Sequence, residues 1–218
     1  MAVRYRGRVR VVTISAAFGA GGSVVGPAVA TRLGLPFLDR AIPLAVARSL
    51  SVPVGEALDR DERRPSLLDR IVTSLAAAAA PLGIAPTAAA GAGATDDAFR
   101  ATTEEVLREL ALGGGVVLGR AGAVVLAQHP AALHVRLDGR RDLRIERVMA
   151  HEHMSKDEAA ALLAETDRAW ESYVRYFYKA DPRDSRLYHL MIDSTIIPLG
   201  TCTELIVAAA TAPADPGT

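Results

Sequence analysis

Lysine is nearly missing from this sequence. Of 218 residues, 25 are basic, and only Lys156 and Lys179 among them are lysines; the rest are arginines. Alanine is also abundant, so a bias in genome composition accounts for the skew as such. The skew still constrains chemistry. Arginine is permanently charged and forks onto carboxylates and phosphates, whereas lysine is a mobile point charge. Any anion chemistry here must use arginines or backbone N–H groups. Net charge is missing too, because 25 acidic residues balance the 25 basic ones. A general nucleic-acid or membrane-surface binder carries a basic excess, so neither is expected. The lone Cys202 excludes an internal disulfide and fits a reducing compartment. There is no long uninterrupted apolar run. The best window, Ile71 to Ala90, is broken by Pro81, Gly83 and Pro86 and makes a poor membrane span. The basic N-terminus runs into glycines instead of a signal-peptide core, so a cytoplasmic location is expected.

What is present is enough for a full core: half of the residues are hydrophobic. The length suits one domain spanning 1–218 with an insertion. Arg8 to Ile14 (RVRVVTI) is a β-branched run, followed by glycines and an amphipathic stretch from Val24 to Leu33. This reads as strand, glycine loop and helix. Further strands are expected at Leu35–Leu38, Val116–Leu118, Leu133–Leu137 and Leu190–Asp193. Helices are expected over 43–50, 67–80, 102–112, 121–128, 140–153, 156–178 and 202–210. Residues 51–100 form an Ala- and Pro-rich helical insertion, with 81–95 a low-complexity loop. Residues 140–180 form a lid-like helical segment. Alternating strands and helices predict a three-layer α/β fold, with a parallel central sheet and helices on both faces. Ligands of such sheets bind beyond the carboxyl ends of the strands. That rim would collect Ser15–Ser23, Asp39–Arg40, Gly119–Arg120 and Asp138–Arg141.

Four stretches on the rim could carry chemistry. The first is SAAFGAGGS, residues 15–23. Glycines let backbone N–H groups close on a phosphate, and the following helix N-terminus adds partial positive charge. A Walker A loop reads G-x-x-x-x-G-K-[ST]. Aligned on Gly21, its first glycine becomes Ala16 and its lysine becomes Gly22, while Ser23 keeps the hydroxyl that meets Mg²⁺. From this stretch alone, a plain glycine turn packing a helix on a strand reads equally well. The second is VVLGRAG, residues 116–122, which sets Arg120 after a strand. The third is the arginine run Arg140, Arg141, Arg144 and Arg147, interleaved with Asp142 and Glu146. It reads either as a solvated ion-paired face or as a lid whose arginines close over phosphates. The fourth is ETDR, residues 165–168, with Arg175 on the same helix. Pro27 lies early in the first helix, so that helix is expected to start near Val24 or to kink.

Together these stretches resemble the cytidylate kinase-like family of P-loop nucleoside monophosphate kinases. TISAAFGAGGSVVGPAVATRLGL resembles the family's strand, loop and first helix, and PFLDR its entry to the monophosphate region. VVLGRAGAVVLAQHPAALHVRLDGRRDLRIERV is the most specific match. TDRAWESYVRYFY and LYHLMIDSTIIPLGTCTELIVAA resemble its second lid helix and closing strand and helix. The resemblance implies a P-loop kinase fold with a helical lid. It also implies ATP with Mg²⁺ as donor and a pyrimidine nucleoside monophosphate, CMP or dCMP, as acceptor. By position, Gly19, Ala20, Gly21, Gly22 and Ser23 would hold ATP, with Ser23 meeting Mg²⁺. Asp39, Arg40, Arg120, Asp167 and Arg175 would bind the acceptor. Arg120, Arg144, Arg147 and Arg168 would act in transfer. The sequence departs from the family's kinases at Gly22, where they carry lysine, and at Ala121, where they carry an acidic residue. Two other readings therefore stay open: a nucleotide-binding regulatory protein with a degenerate loop, and a phosphotransferase with a non-nucleotide acceptor. A homo-oligomer is also left open.

Overall fold

The computed structural model describes residues 9–39, 104, 107–119 and 121–213. In chain order these form β1 (Val11–Ala16), α1 (Gly22–Leu33), β2 (Phe37–Asp39), β3 (Gly115–Leu118) and α2 (Gly122–Val125). Then follow β4 (Ala132–Asp138), α3 (Arg141–Glu152), α4 (Lys156–Tyr178), β5 (Leu190–Asp193) and α5 (Leu199–Thr211). Residues 107–113 are also helical. The expected helices over 43–50 and 67–80 and the 51–100 insertion lie outside the described residues.

The strands form one sheet in the order β2-β3-β1-β4-β5, every neighbouring pair parallel. β1 is central, pairing Val11–Ile14 with β3 and Val11–Ala16 with β4. Its near-continuous apolar run follows from burial on both faces, since parallel crossovers put helices on each side. On one face Val12, Ile14, Val116, Leu118, Val135 and Leu137 pack with Val25 and Val29 of α1 and with Cys202 and Ile206 of α5. On the other, Val11 and Ala132 meet Ala111 and Leu126, and Val117 meets Leu38, Leu107 and Leu110. Burial pushes the Cys202 thiol up, which keeps it protonated as a small core residue. Among the described residues, no helix is long and apolar enough to cross a membrane.

The first helix departs from expectation. It starts at Gly22, not near Val24, and runs through Pro27 without interruption. Two features make this tolerable. Gly26 has no Cβ to collide with the Pro27 ring. The carbonyl deprived of an N–H partner, that of Ser23, belongs to an exposed residue in the first turn. Beyond the rim, α3 and α4 form a hairpin. Ser155 starts α4 with a capping box, its Oγ accepting from Glu158 N–H and its own N–H donating to the Glu158 carboxylate at 2.9 Å. The first half of α4 packs Ala159 and Leu163 on Ile145 and Val148 of α3. Its second half packs Tyr173, Val174 and Phe177 on Ala121.

A polar cluster is buried on the sheet's second face. His134 of β4 is 2% exposed. Its Nδ1 accepts from the Thr13 hydroxyl at 2.8 Å, and its Nε2–H donates to Leu126 O at 3.2 Å. In this neutral tautomer both ring nitrogens are satisfied. The ring stacks on His189 at 4.9 Å. Burial, then the charge of neighbouring His189, lowers the His134 pKa from 6.5 to about 4. The unfolded chain therefore binds this proton more readily than the folded one. Stability from this site is present above pH 6.5 and is lost as pH falls through the window from 6.5 to 4. Between pH 7 and 4.5 the loss should be about 2–3 kcal/mol. Urea midpoints at the two pH values should show it in the native protein, and His134→Gln should flatten the difference. An undiminished pH slope in a folded His134→Gln variant would assign the effect elsewhere.

Candidate anion-binding site

Residues 17–21 connect the end of β1 to the start of α1. Gly19 and Gly21 take left-handed conformations, with φ of 77° and 80°. Both are also pressed closely. A Cβ at Gly19 would lie 2.8 Å from Arg144 O, and one at Gly21 would lie 2.6 Å from Leu199 Cδ2. The loop's carbonyls are all taken. Ala17 O accepts from Ala20 N–H, and Gly21 O from the N–H groups of Val24 and Val25. Phe18 O accepts from Arg144 at 2.9 Å, Gly19 O from Arg147 at 3.1 Å and Ala20 O from the Ser194 hydroxyl at 2.7 Å. The N–H groups of Gly19, Gly21, Gly22 and Ser23, by contrast, have no acceptor among the described residues. A loop with its oxygens engaged and its N–H groups open, at a helix N-terminus, has the geometry that suits an anion.

The carbonyls are held from the lid side. Arg144 of α3 is buried; its Nη1 donates to Phe18 O and, at 2.8 Å, to Asp167 Oδ2 of α4. Asp167 Oδ1 accepts from Phe18 N–H at 3.0 Å. Both polar groups of the Phe18 backbone are thus gripped by one ion pair whose halves come from two helices. Arg144 Nε reaches Gly139 O at 3.3 Å, just past β4. Arg147 spans Gly19 O and Ser194 O, the latter at 2.9 Å. The Phe18 side chain packs among Ile145, Val148 and Leu163 of the hairpin.

The structure brings Gly19 to Ser23, Arg144, Arg147 and Asp167 together. Arg168 is exposed and has no ion pair or hydrogen bond among the described residues. Arg175 lies two turns further along α4, about 12 Å from Asp167 by helical rise, and pairs with Asp181 at 3.2 Å. Arg140 is exposed and paired with Asp142. Asp39 closes β2 on the same rim. Arg40 and Arg120 lie outside the described residues; Gly119 before Arg120 and Ala121 after it both have positive φ. Phe18 and Gly139 fall within the expected rim stretches Ser15–Ser23 and Asp138–Arg141 without a role of their own, and Ser194 lies outside them. Only their places just past strand ends or inside the loop could have flagged Ser194 and Phe18, because a contact through backbone oxygen leaves no residue-type signature.

A model of the cytidylate kinase-like family matches residues 11–196. The chain belongs to the cytidylate kinase-like family. Among solved structures it resembles an uncharacterized protein from Eubacterium ventriosum ATCC 27560. There the TM-score is 0.63 at 17% identity, covering 92% of this chain and 97% of that one, which is a likeness of fold. A gluconokinase from Sinorhizobium meliloti 1021 gives a TM-score of 0.46 at 18% identity, over 95% of this chain and 93% of that one. A shikimate kinase from Acinetobacter baumannii gives 0.40 at 15% identity, over 92% and 94%. Among curated proteins, a uronate isomerase of Corynebacterium glutamicum is 31% identical over 120 residues, which is 55% of this chain and 23% of that protein. The chain thus spans under a quarter of that relative's length. Family membership fits the parallel α/β fold described above.

In this cytidylate kinase-like chain, the missing lysine has a packing counterpart. A Cβ on Gly22 would fall 2.6 Å from Ala16 Cβ and 3.0 Å from Leu118 Cδ1. Ala16 is the residue standing where a Walker A loop has its first glycine. Its methyl group fills the space that any side chain at 22 would need, so the two departures are complementary. Gly22→Ala and Gly22→Lys should each lose about 1–3 kcal/mol by overpacking, read as a lowered Tm. Adding Ala16→Gly should recover most of that loss in Gly22→Lys. A double variant no more stable than Gly22→Lys would refute the pairing.

Proposed function

We propose that this chain transfers a phosphoryl group from ATP, accompanied by Mg²⁺, to a nucleoside monophosphate, CMP or dCMP being the simplest acceptor. The observation that carries the reading is the loop with every carbonyl engaged and the N–H groups of Gly19, Gly21, Gly22 and Ser23 left open. Such a cradle fits a polyphosphate chain. Ser23 is exposed in the first turn of α1, with its hydroxyl unpartnered among the described residues, and would serve Mg²⁺. When bound, ATP with Mg²⁺ supplies the transferable phosphoryl group. The chain's own residues bind, orient and neutralise. The loop N–H groups and the α1 terminus hold the phosphates. Arg168, exposed and without an ion pair among the described residues, would be the arginine of α4 that meets developing charge. Asp39, Arg40, Arg120 and Arg175 are proposed for the acceptor. The α3–α4 hairpin would exclude water, so transfer is in line and direct, without a covalent intermediate.

One observation favours a second reading. Gly22 has no room for a side chain, so the loop has lost a donor of a kind commonly worth about 10²–10³ in rate. A nucleotide-binding protein without turnover would tolerate that loss. ADP formation from ATP and Mg²⁺, measured with a panel of nucleoside monophosphates, separates the two. Turnover that depends on CMP or dCMP and falls about 10²–10³-fold in Arg120→Ala supports the kinase. Nucleotide binding with no turnover on any acceptor supports the second reading. Turnover only with an acceptor outside the nucleotides would keep the phosphotransferase and change its substrate.

A further inference from the structure

We infer that Arg144 and Arg147 are positioning residues that make up for the absent loop lysine from behind, by charging the loop's peptide groups, not by touching phosphate. This rests on the phosphate-cradle reading of the loop. A resident lysine is closed off at position 22, because its Cβ would collide with Ala16 and Leu118. Among the described residues, these two guanidiniums are the ones that hydrogen-bond the loop, and both are committed to carbonyl oxygens. Arg144 holds Phe18 O, and the same peptide unit ends in the open Gly19 N–H. Arg147 holds Gly19 O, whose unit ends in Ala20 N–H; that group donates to Ala17 O and closes the turn of the loop. A cation on a carbonyl polarises its peptide and makes the N–H at the other end a stronger donor. Arg144 therefore strengthens a donor that meets the ligand, and Arg147 strengthens the turn that holds the loop open.

The remaining contacts fix each arginine in this role. Arg144 donates to Phe18 O, Asp167 Oδ2 and Gly139 O, so swinging it toward a ligand would break three bonds at once. Arg147 is tied at its other nitrogen to Ser194 O, and Ser194 itself holds Ala20 O. An arginine serving as a mobile lid finger would not be spent on backbone oxygens at both forks.

The test uses inorganic pyrophosphate and ADP as probes, titrated by calorimetry into the full-length native protein, Arg147→Met, Arg144→Met and a remote control, Arg32→Met. Carbonyl ¹³C shifts of Phe18 and Gly19 are followed by NMR with and without pyrophosphate. Arg147→Met and Arg144→Met should each weaken pyrophosphate about tenfold, the scale of one charge-assisted hydrogen bond, and Arg32→Met should not. In the native protein, the Gly19 carbonyl should keep its arginine-bound shift when pyrophosphate binds. Arg147 is only half-buried, so its variant should fold even if Arg144→Met does not. Unchanged affinity in folded Arg147→Met overturns the inference. So does a Gly19 carbonyl shift that moves on binding to the value seen in Arg147→Met, because the arginine would then have left the loop for the ligand. Native protein that binds neither probe would overturn the cradle reading itself, a separate outcome.

Discussion

The grip of the Arg144–Asp167 pair on the Phe18 peptide is the constraint on which the rest of the site depends. It fixes N–H and C=O of one residue at once, at the first step of the loop after Ala17. Past Phe18, Gly19 turns back with positive φ, and the N–H groups of Gly19, Gly21, Gly22 and Ser23 have no acceptor among the described residues. The pair is partly buried, with side-chain exposures of 9% and 22%. Deleting either partner would strand a charge of a kind that costs about 3–5 kcal/mol when fully buried, discounted here for solvent at Asp167.

The grip works because the sheet delivers both ends of it to one place. β1 and β4 are adjacent and parallel, and Ala17 N–H continues their ladder onto Leu137 O. β4 therefore ends beside the loop, and α3 starts there. α4 is tied back to the same strand by Arg136, which is buried and sits between the rings of Trp170 and Tyr188. Burial opposes the Arg136 charge, but the Asp138 carboxylate outweighs it and raises the guanidinium above its ordinary value. Trp170 and Asp167 are three residues apart, on neighbouring parts of one helix surface. Arg136 thus anchors the helix within a turn of the residue that grips the loop.

The sheet was legible because its strands are short apolar runs, three of which (β2, β4 and β5) end in Asp. The loop was legible from its glycines. The start of α1 was not: Pro27 argued for a later start, and only the absence of a Cβ on Gly26 and the exposure of Ser23 make the earlier one tolerable. The partners of Arg144 and Arg147 were hidden for a different reason. Spacing places arginines on a helix face but says nothing of where that face points, and here it points at backbone oxygens, which every residue has. Ser194 escaped in the same way. The tight contact between Ala16 and Gly22 is visible in sequence only as two separate departures from one pattern.

The scarcity of lysine and the architecture of the loop are consistent with each other. Arg144 donates to Phe18 O, Asp167 and Gly139 O, and Arg147 bridges Gly19 O to Ser194 O across a guanidinium. These are tasks for a planar fork with donors in fixed directions. An ammonium gathers its three donors on one nitrogen and lacks the fixed fork that bridges separate oxygens. A loop that keeps its charge in such bridges must bring its helices close, and the small residues at Ala16, Gly19, Gly21 and Gly22 are what permit that approach. Compositional bias alone would scatter arginines over the surface. Two of them are instead built into the support of the β1–α1 loop, which carries no cation of its own, and that is a constraint set by the fold.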